Sequence, residues 1–376
     1  EYPRFRMNDD REVSCYALML DHQAGKDVHD EALATWLAQK DADDGCALMA
    51  ATLVDAKKFS NADLWRKVRV AIDAGRPKAA RQAAVLIGTW PATTLAELSD
   101  SPMRYLAKSA SASTRPGAEL AALALMRLAS SDPDAAAQQL NERWDRALPP
   151  DLAAWAWAAV GKQAALKLMP EATEHFQRAA LRASREGAEP DWPDDTLAWK
   201  VRAALRADGG RGRWQQVMQG INAMSAEQQR DPAWVYWKAR ALQKLSGNSQ
   251  DAEGMRGLSR ELLASIAGRM HFYGKLAAED LGQSVELPGK PAPSDLQAAL
   301  EAAYAGSEWV HVLSQAEVAA TGGKIEPEGI NGSNRLELAV FGNAARGQAV
   351  LVARLDNLGK GASGAAVQNI KLMLGL

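Results

Sequence analysis

Cysteine is almost absent: the 376 residues hold only Cys15 and Cys46. That count excludes a disulfide-dense scaffold and a multi-cysteine metal site. The five histidines (His22, His29, His175, His271 and His311) are dispersed, and no C-x-x-C occurs, so no metal site is expected. No run approaches about 18 apolar residues, so no membrane span is expected. Charge of one sign is lacking too, with 44 Lys and Arg against 46 Asp and Glu. From Gln297 onward there are six Lys and Arg against seven Asp and Glu, so no basic module hides in the average. A nucleic-acid partner is therefore not expected. No charged-then-apolar leader opens the chain, which starts at Glu1, and a processed or trimmed protein is expected.

What is present is apolar and rich in alanine and tryptophan. A hydrophobic content of 47% excludes general disorder. Over residues 12–284, apolar residues recur at three- and four-residue spacings, and turn chemistry interrupts them every 10–15 residues. Asp73-Ala-Gly75-Arg-Pro77, Ser131-Asp-Pro133, Pro149-Pro150-Asp151 and Asp208-Gly-Gly210 are examples. Short helices joined by short polar turns predict antiparallel hairpins. A long series of hairpins predicts a solenoid, because one hairpin cannot bury its apolar face alone. Ala154-Trp155, Ala198-Trp199 and Ala233-Trp234 mark a loose repeat, with Trp-to-Trp spacings of 44 and 35 residues. Second helices are expected over about 171–184, 213–224 and 251–267. Most of the 12 tryptophans are expected to fill gaps between stacked hairpins, leaving sugar stacking to an exposed few.

After the Pro-rich stretch Pro288-Gly-Lys-Pro291-Ala-Pro293 the pattern changes. A helix is expected over Leu296–Ala305, and strands over Trp309–Leu313, Leu336–Phe341 and Ala349–Leu355. The last two should form a hairpin turning near Gly342-Asn343, and a Gly-rich loop should then lead into a helix over 364–374. The domain reading is an α-superhelical domain over 1–287, a linker over 288–296 and a small α/β tail over 297–376. The fold class is mainly α: a right-handed, tetratricopeptide-like solenoid of helical hairpins followed by the α/β fragment.

Gly359-Lys-Gly361-Ala-Ser-Gly364 matches G-x-G-x-x-G after a strand and before a helix. Only 12 residues follow Gly364, too few for a complete dinucleotide fold. The alternatives are a tight strand-to-helix turn and a loop that touches a cofactor held by a missing domain. Cys15 lies on an apolar face with His22 two turns away, which favours a structural role over a nucleophile. Two buried thiols or a Cys15–Cys46 disulfide both suit the residues, and the disulfide would imply an oxidising compartment.

Two resemblances follow. Pro3-Arg-Phe-Arg-Met-Asn-Asp-Asp-Arg-Glu-Val-Ser-Cys-Tyr-Ala-Leu18, Asp231-Pro-Ala-Trp-Val-Tyr-Trp-Lys-Ala-Arg-Ala-Leu242 and His271-Phe-Tyr-Gly-Lys-Leu-Ala-Ala-Glu-Asp-Leu-Gly282 span about 1–290. This region resembles the superhelical, U-shaped domain of soluble periplasmic lytic murein transglycosylases. The resemblance implies cleavage of the MurNAc–GlcNAc β-1,4 bond with a 1,6-anhydro product in the parent enzyme, a periplasmic location and a Cys15–Cys46 disulfide. The family's Glu-Ser pair and Gly-Leu-Met-Gln segment do not occur, so no catalytic residue carries over and the chain alone is expected to be inactive. Ile330-Asn-Gly-Ser-Asn-Arg335 and Asp356-Asn-Leu-Gly-Lys-Gly-Ala-Ser-Gly-Ala-Ala-Val-Gln-Asn369 resemble the C-terminus of N-acetyl-γ-glutamyl-phosphate reductase.

That second resemblance implies NADP as an alternative cofactor, with Asn357, Lys360 and Gly361 as contacts, and a cytoplasmic location if it governs. The family's nucleotide domain, catalytic Cys and catalytic His motif are missing. The expected role is a transglycosylase scaffold without cofactor or metal, reaching glycan strands through a missing or separate catalytic domain. A reductase of arginine biosynthesis and a non-enzymatic tetratricopeptide-like binding module are the alternatives. A protein partner covering the edge of the C-terminal sheet is also expected.

Overall fold

The computed structural model describes residues 10–184, 191–247, 251–284 and 292–375. The chain divides into two compact units, Glu1–Gln283 and Ser284–Leu376. The first unit is helical throughout its described residues. Its helices are α1 (Arg11–Gln23), α2 (His29–Ala38), α3 (Asp44–Asp55), α4 (Asn61–Asp73), α5 (Pro77–Ile87), α6 (Thr89–Asp100), α7 (Pro102–Lys108) and α8 (Arg115–Ser131). There follow α9 (Pro133–Gln139), α10 (Pro150–Leu166), α11 (Ala172–Ala183), α12 (Asp194–Gly210), α13 (Trp214–Asn222), α14 (Pro232–Ser246), α15 (Ala252–Ala267) and α16 (Phe272–Asp280).

Local chemistry sets these limits. The side chains of Asp43, Thr114, Asp132 and Asp231 accept N–H bonds at the starts of α3, α8, α9 and α14. Ser60 and Asp63 close a reciprocal box at the start of α4. Proline fixes φ in the first turn of α5, α9, α10 and α14. Gly75 ends the turn after α4 at φ +69°, a left-handed conformation that glycine adopts without a steric penalty. Within α12 the backbone leaves the helix at Ala207, Asp208 and Gly209, in the region where the sequence predicts a turn.

The hairpins α4–α5, α10–α11, α12–α13 and α14–α15 pack side by side. Helices α8 and α10 run through the middle, and nearly every residue of Gly117–Ala129 and Leu152–Ala165 is buried. A helix apolar on all sides needs neighbours all round, and alanine lets those backbones come close. Gly161 marks the tightest point: a Cβ there would lie 3.0 Å from the Phe176 ring of α11. Trp144 and Trp157 fill the space between helices and are fully buried, whereas Trp90 is exposed. Val235, Tyr236, Leu263, Ile266 and Ala277 form a second, smaller core where α14, α15 and α16 meet.

The second unit contains α17 (Pro293–Ala303), β1 (Val310–Val312), α18 (Gln315–Ala320), β2 (Leu336–Asn343), β3 (Gln348–Leu355) and α19 (Gly364–Leu374). Strand order is β1-β2-β3. β1 runs parallel to β2, with Val310 opposite Leu336 and Val312 opposite Leu338. β2 runs antiparallel to β3, with Leu336 opposite Leu355 and Asn343 opposite Gln348. Leu313, Val318 and Ala339 form the small core, joined by Ile325, Phe341 and Val352.

Three details depart from the sequence reading. The hairpin turns at Ala344–Arg346 rather than at Gly342-Asn343, because the Asn343 side chain accepts the Arg346 N–H and Gly347 takes the left-handed conformation. Residues 293–296, read as linker, form the first turn of α17, which begins at Pro293. The parallel β1–β2 pair with α18 between its strands was not anticipated. The rest of the Pro-rich stretch, 288–291, lies outside the described residues, as do the first seven residues of the stretch opening at Pro3.

Candidate functional site

The two segments that carry the reductase resemblance meet in space. Asp356, which follows β3, is the link: its carboxylate accepts the N–H of Gly332 at 2.7 Å and that of Leu358 at 2.8 Å. Bonds from Gly332, then Gly359 and Leu358, hold this carboxyl below the usual carboxylate range. The glycines permit the contact. A Cβ on Gly359 would lie 2.6 Å from the Ser333 carbonyl, and one on Gly364 would lie 2.4 Å from Asn334 Oδ1.

Asn357, Lys360 and Gly361 thus lie on one turn. Asn357 and Gly361 are neighbours, since a Cβ on Gly361 would lie 2.8 Å from Asn357 Oδ1. Lys360 Nζ donates instead to Gln368 Oε1. Three of the turn's backbone donors face inward: Gly361 N–H to the Asp356 carbonyl, Ser363 N–H to that of Leu358, and Gly364 N–H to that of Gly359. A phosphate cradle needs several such N–H groups aimed outward. This turn does not fit a dinucleotide pyrophosphate, and its G-x-G-x-x-G pattern serves loop-on-loop packing.

Replacing Asp356 by Ala is expected to speed hydrogen exchange at the amides of Gly332, Leu358 and Gly359, while amides of α8 and α10 keep their protection. The wild-type protein should behave the same way at low pH. A carboxyl whose folded pKa lies below its unfolded value contributes stability above about 3.9, and that contribution is lost as pH falls through the folded value.

The helical unit holds two ionic clusters whose central pairs, Lys162–Asp73 and Arg69–Glu119, are buried. Lys162 Nζ of α10 lies 2.7 Å from Asp73 Oδ2 of α4 and 2.7 Å from Asp195 Oδ2 of α12. Thr196 Oγ1 donates to the same Asp73 oxygen at 2.9 Å. In the second cluster Arg69 Nη1 meets Glu119 Oε2 at 2.6 Å, and Arg115 holds the other Glu119 oxygen at 3.0 Å while also binding Asp151. Trp155 Nε1 donates to Asp191 at 2.7 Å, and the Arg69 guanidinium lies over the Trp155 ring. The contacts at the centre of each cluster have no short-range sequence signal, since Asp73 and Lys162 are 89 residues apart and Arg69 and Glu119 are 50 apart; only Arg115 and Glu119 sit one helical turn from each other.

Glycan cleavage needs a carboxyl that stays protonated near neutral pH, hence one raised by apolar burial or a like charge. Among the described residues, the carboxyls with displaced ionisation (Asp145, Asp151, Glu317 and Asp356) are all displaced downward. Burial pushes Asp145 and Asp151 up, but the bonds from Arg182 and Trp157 to the first, and from Arg115 to the second, outweigh it. His175 is buried against the Trp157 ring; burial, with Arg178 nearby, lowers its pKa. A cavity of about 300 Å³ opens beside Asp73, walled by Ile72, Pro77, Met126, Arg127 and Gln163. The Asp73 carboxylate is already committed to Lys162 and Thr196.

The stretches Asp231–Leu242 and His271–Gly282 also join. Arg240 Nη1 and Tyr236 Oη both donate to Asp280 Oδ2, at 2.9 and 3.1 Å, and the Tyr236 and Tyr273 rings lie 5.6 Å apart. His271 caps α16, its Nδ1 accepting the Gly274 N–H at 3.0 Å. Cys15 of α1 and Cys46 of α3 form a disulfide with a Cα–Cα distance of 4.9 Å. No helix of the described residues is long and apolar enough to cross a membrane, and no group of His, Cys, Asp and Glu among them is placed to hold a metal ion.

No family model matches the chain. Among solved structures, an inactive mutant of the lytic transglycosylase Slt from Pseudomonas aeruginosa is similar at 21% identity and a TM-score of 0.43, covering 78% of this chain and 46% of that one. A complex of the 70-kDa soluble lytic transglycosylase with bulgecin A is similar at 20% identity and a TM-score of 0.38, with the same coverage. Among curated proteins, N-acetyl-gamma-glutamyl-phosphate reductase 2 of Pseudomonas putida is 51% identical over 89 residues, covering 24% of this chain and 28% of that protein. The corresponding reductase of Burkholderia ambifaria is 50% identical over 90 residues, with the same coverage. The chain thus spans under a third of the length of these first relatives. The reductase of Chelativorans sp. is 36% identical over 223 residues, covering 54% of this chain and 68% of that protein. That match is longer than the C-terminal unit, so it runs into the helical unit, where the described residues carry no sheet. By this relationship the chain belongs to the N-acetyl-gamma-glutamyl-phosphate reductase family, whose C-terminal segment is the part it resembles over residues 297–376.

Proposed function

We propose that the chain works as a peptidoglycan-associated scaffold, of the kind that holds the glycan-cleaving domain in lytic transglycosylases, and that it does not cut glycan alone. The observation that carries this reading is the Tyr236–Arg240–Asp280 cluster. It joins two of the three transglycosylase-like stretches into one packed motif on α14 and α16. The Cys15–Cys46 disulfide suits the periplasm, an oxidising compartment. Glycan strands would be reached through a catalytic domain supplied separately. Incubation with purified murein sacculi is expected to release no 1,6-anhydromuropeptides by mass spectrometry, and their protein-dependent appearance would refute the reading.

The family relationship favours a second reading, an NADP-dependent N-acetyl-γ-glutamyl-phosphate reductase with Asn357, Lys360 and Gly361 near the cofactor. The inward-facing donors of that turn count against it. Calorimetry with NADPH separates the two: the scaffold gives no heat of binding, whereas tight stoichiometric binding would establish the reductase.

A further inference from the structure

We propose that the cavity beside Asp73 binds a small zwitterion of dipeptide size, its ammonium held by Asp73 and its carboxylate by Arg127. The cavity measures about 300 Å³ and lies wholly within the helical unit. Sites for small molecules are largely apolar with a few placed polar groups, and this volume suits a short ligand. Ile72, Pro77 and Met126 supply the apolar wall. The Asp73 side chain is 5% exposed, and the bonds its carboxylate receives from Lys162 and Thr196 both fall on Oδ2. Among the described residues no group donates to Oδ1, although a buried carboxylate oxygen calls for a donor.

The charge balance calls for a cation on this side. Lys162 sits between Asp73 and Asp195, so two carboxylates share one ammonium and one negative charge is left over. Helices α4, α8 and α10 bring their last turns to the cavity through Asp73, Ser130 and Gln163, and the carbonyl ends of helices favour positive charge. The opposite charge stands at Arg127, an exposed lining residue. Its Nη1 donates to Ser130 Oγ at 2.6 Å, and among the described residues it has no carboxylate partner. The neighbouring Arg76, by contrast, is paired with Asp41 at 2.8 Å. A guanidinium fork matches a carboxylate. A short molecule with an amine at one end, a carboxylate at the other and small apolar groups between them satisfies all three surfaces. Such binding is independent of whether the chain acts as a peptidoglycan scaffold.

Calorimetry and saturation-transfer NMR on the full-length chain with alanylalanine test the site. The expected result is saturable binding in the millimolar range or tighter. Acetylating the peptide's amine or amidating its carboxylate should each weaken binding at least about tenfold. Arg127→Ala should weaken the free peptide by a similar factor and leave the amidated peptide unaffected, which assigns the carboxylate to Arg127. Ser130→Trp, at a second exposed lining position, should block the free peptide. Both positions are exposed, so circular dichroism should stay unchanged; if one variant unfolds, the other decides. No binding up to about 10 mM would overturn the proposal. So would binding that either capped peptide keeps at full strength, or that survives both variants.

Discussion

Replacing Lys162 by Met is expected to lower the stability of the helical unit by about 3–5 kcal/mol, read as a shift in the urea midpoint at constant slope. The size follows from what remains. Lys162 and Asp73 are each about 5% exposed at the side chain, and their contact joins helices 89 residues apart. Without the ammonium, Asp73 keeps one hydrogen bond, from Thr196, and a buried charge with no counter-ion. A second change, Asp73→Asn, removes that charge and should recover much of the loss, which separates the electrostatic effect from general damage. pH gives an independent check. Burial pulls the Lys162 pKa down, but Asp73 and Asp195 pull it up further, and the net displacement is upward. A lysine whose folded pKa exceeds its unfolded value of about 10.4 contributes fully at neutral pH, and loses that contribution as pH rises through the folded value. Wild-type and Lys162→Met midpoints should therefore converge only in strong alkali.

Removing the disulfide should cost about 3–4 kcal/mol, the loop-closure value for the 31-residue separation between Cys15 and Cys46. The cysteines lie in the cores of α1 and α3, at 0% and 2% exposure, so a Cys15→Ala, Cys46→Ala double variant leaves two small apolar side chains in place. The loss should be local. α1 through α3 should open first, seen as faster hydrogen exchange there, while α8 and α10 keep their protection. Equal stability of the oxidised and reduced wild-type protein would contradict the crosslink's assigned weight.

The helical unit was legible in the sequence because its punctuation is local. Pro77, Pro133 and Pro150 begin helices, Gly75 ends a turn and Asp208–Gly209 breaks α12, each through a backbone preference that acts within a few residues. The loose Ala-Trp repeat correctly pointed to packing, with Trp155 and Trp234 buried and Trp199 half-buried. Interactions at long range were not legible. Lys162 and Asp73 look like two more surface charges on amphipathic helices until α4 and α10 are brought together. β1 has only three residues, too few for a periodic signal, so its parallel pairing with β2 left no trace.

The Gly359–Gly364 turn shows a different limit. Glycine admits a close approach without saying of what, so a phosphate cradle and a packed loop share the same letters. The occupant here is the Gly332–Asn334 segment. Asp356 could have been found, because Asp followed by Asn-Leu-Gly is an Asx-turn signal whose side chain bonds the backbone two residues on.

Co-sedimentation of the intact, oxidised chain with purified murein sacculi, alone and with an added lytic transglycosylase catalytic domain, tests the scaffold reading most directly. The account predicts retention in the sacculus pellet when the catalytic domain is present, and no muropeptide released by the chain alone. A chain that stays wholly in the supernatant beside the bound catalytic domain, or one that releases muropeptides by itself, would contradict it.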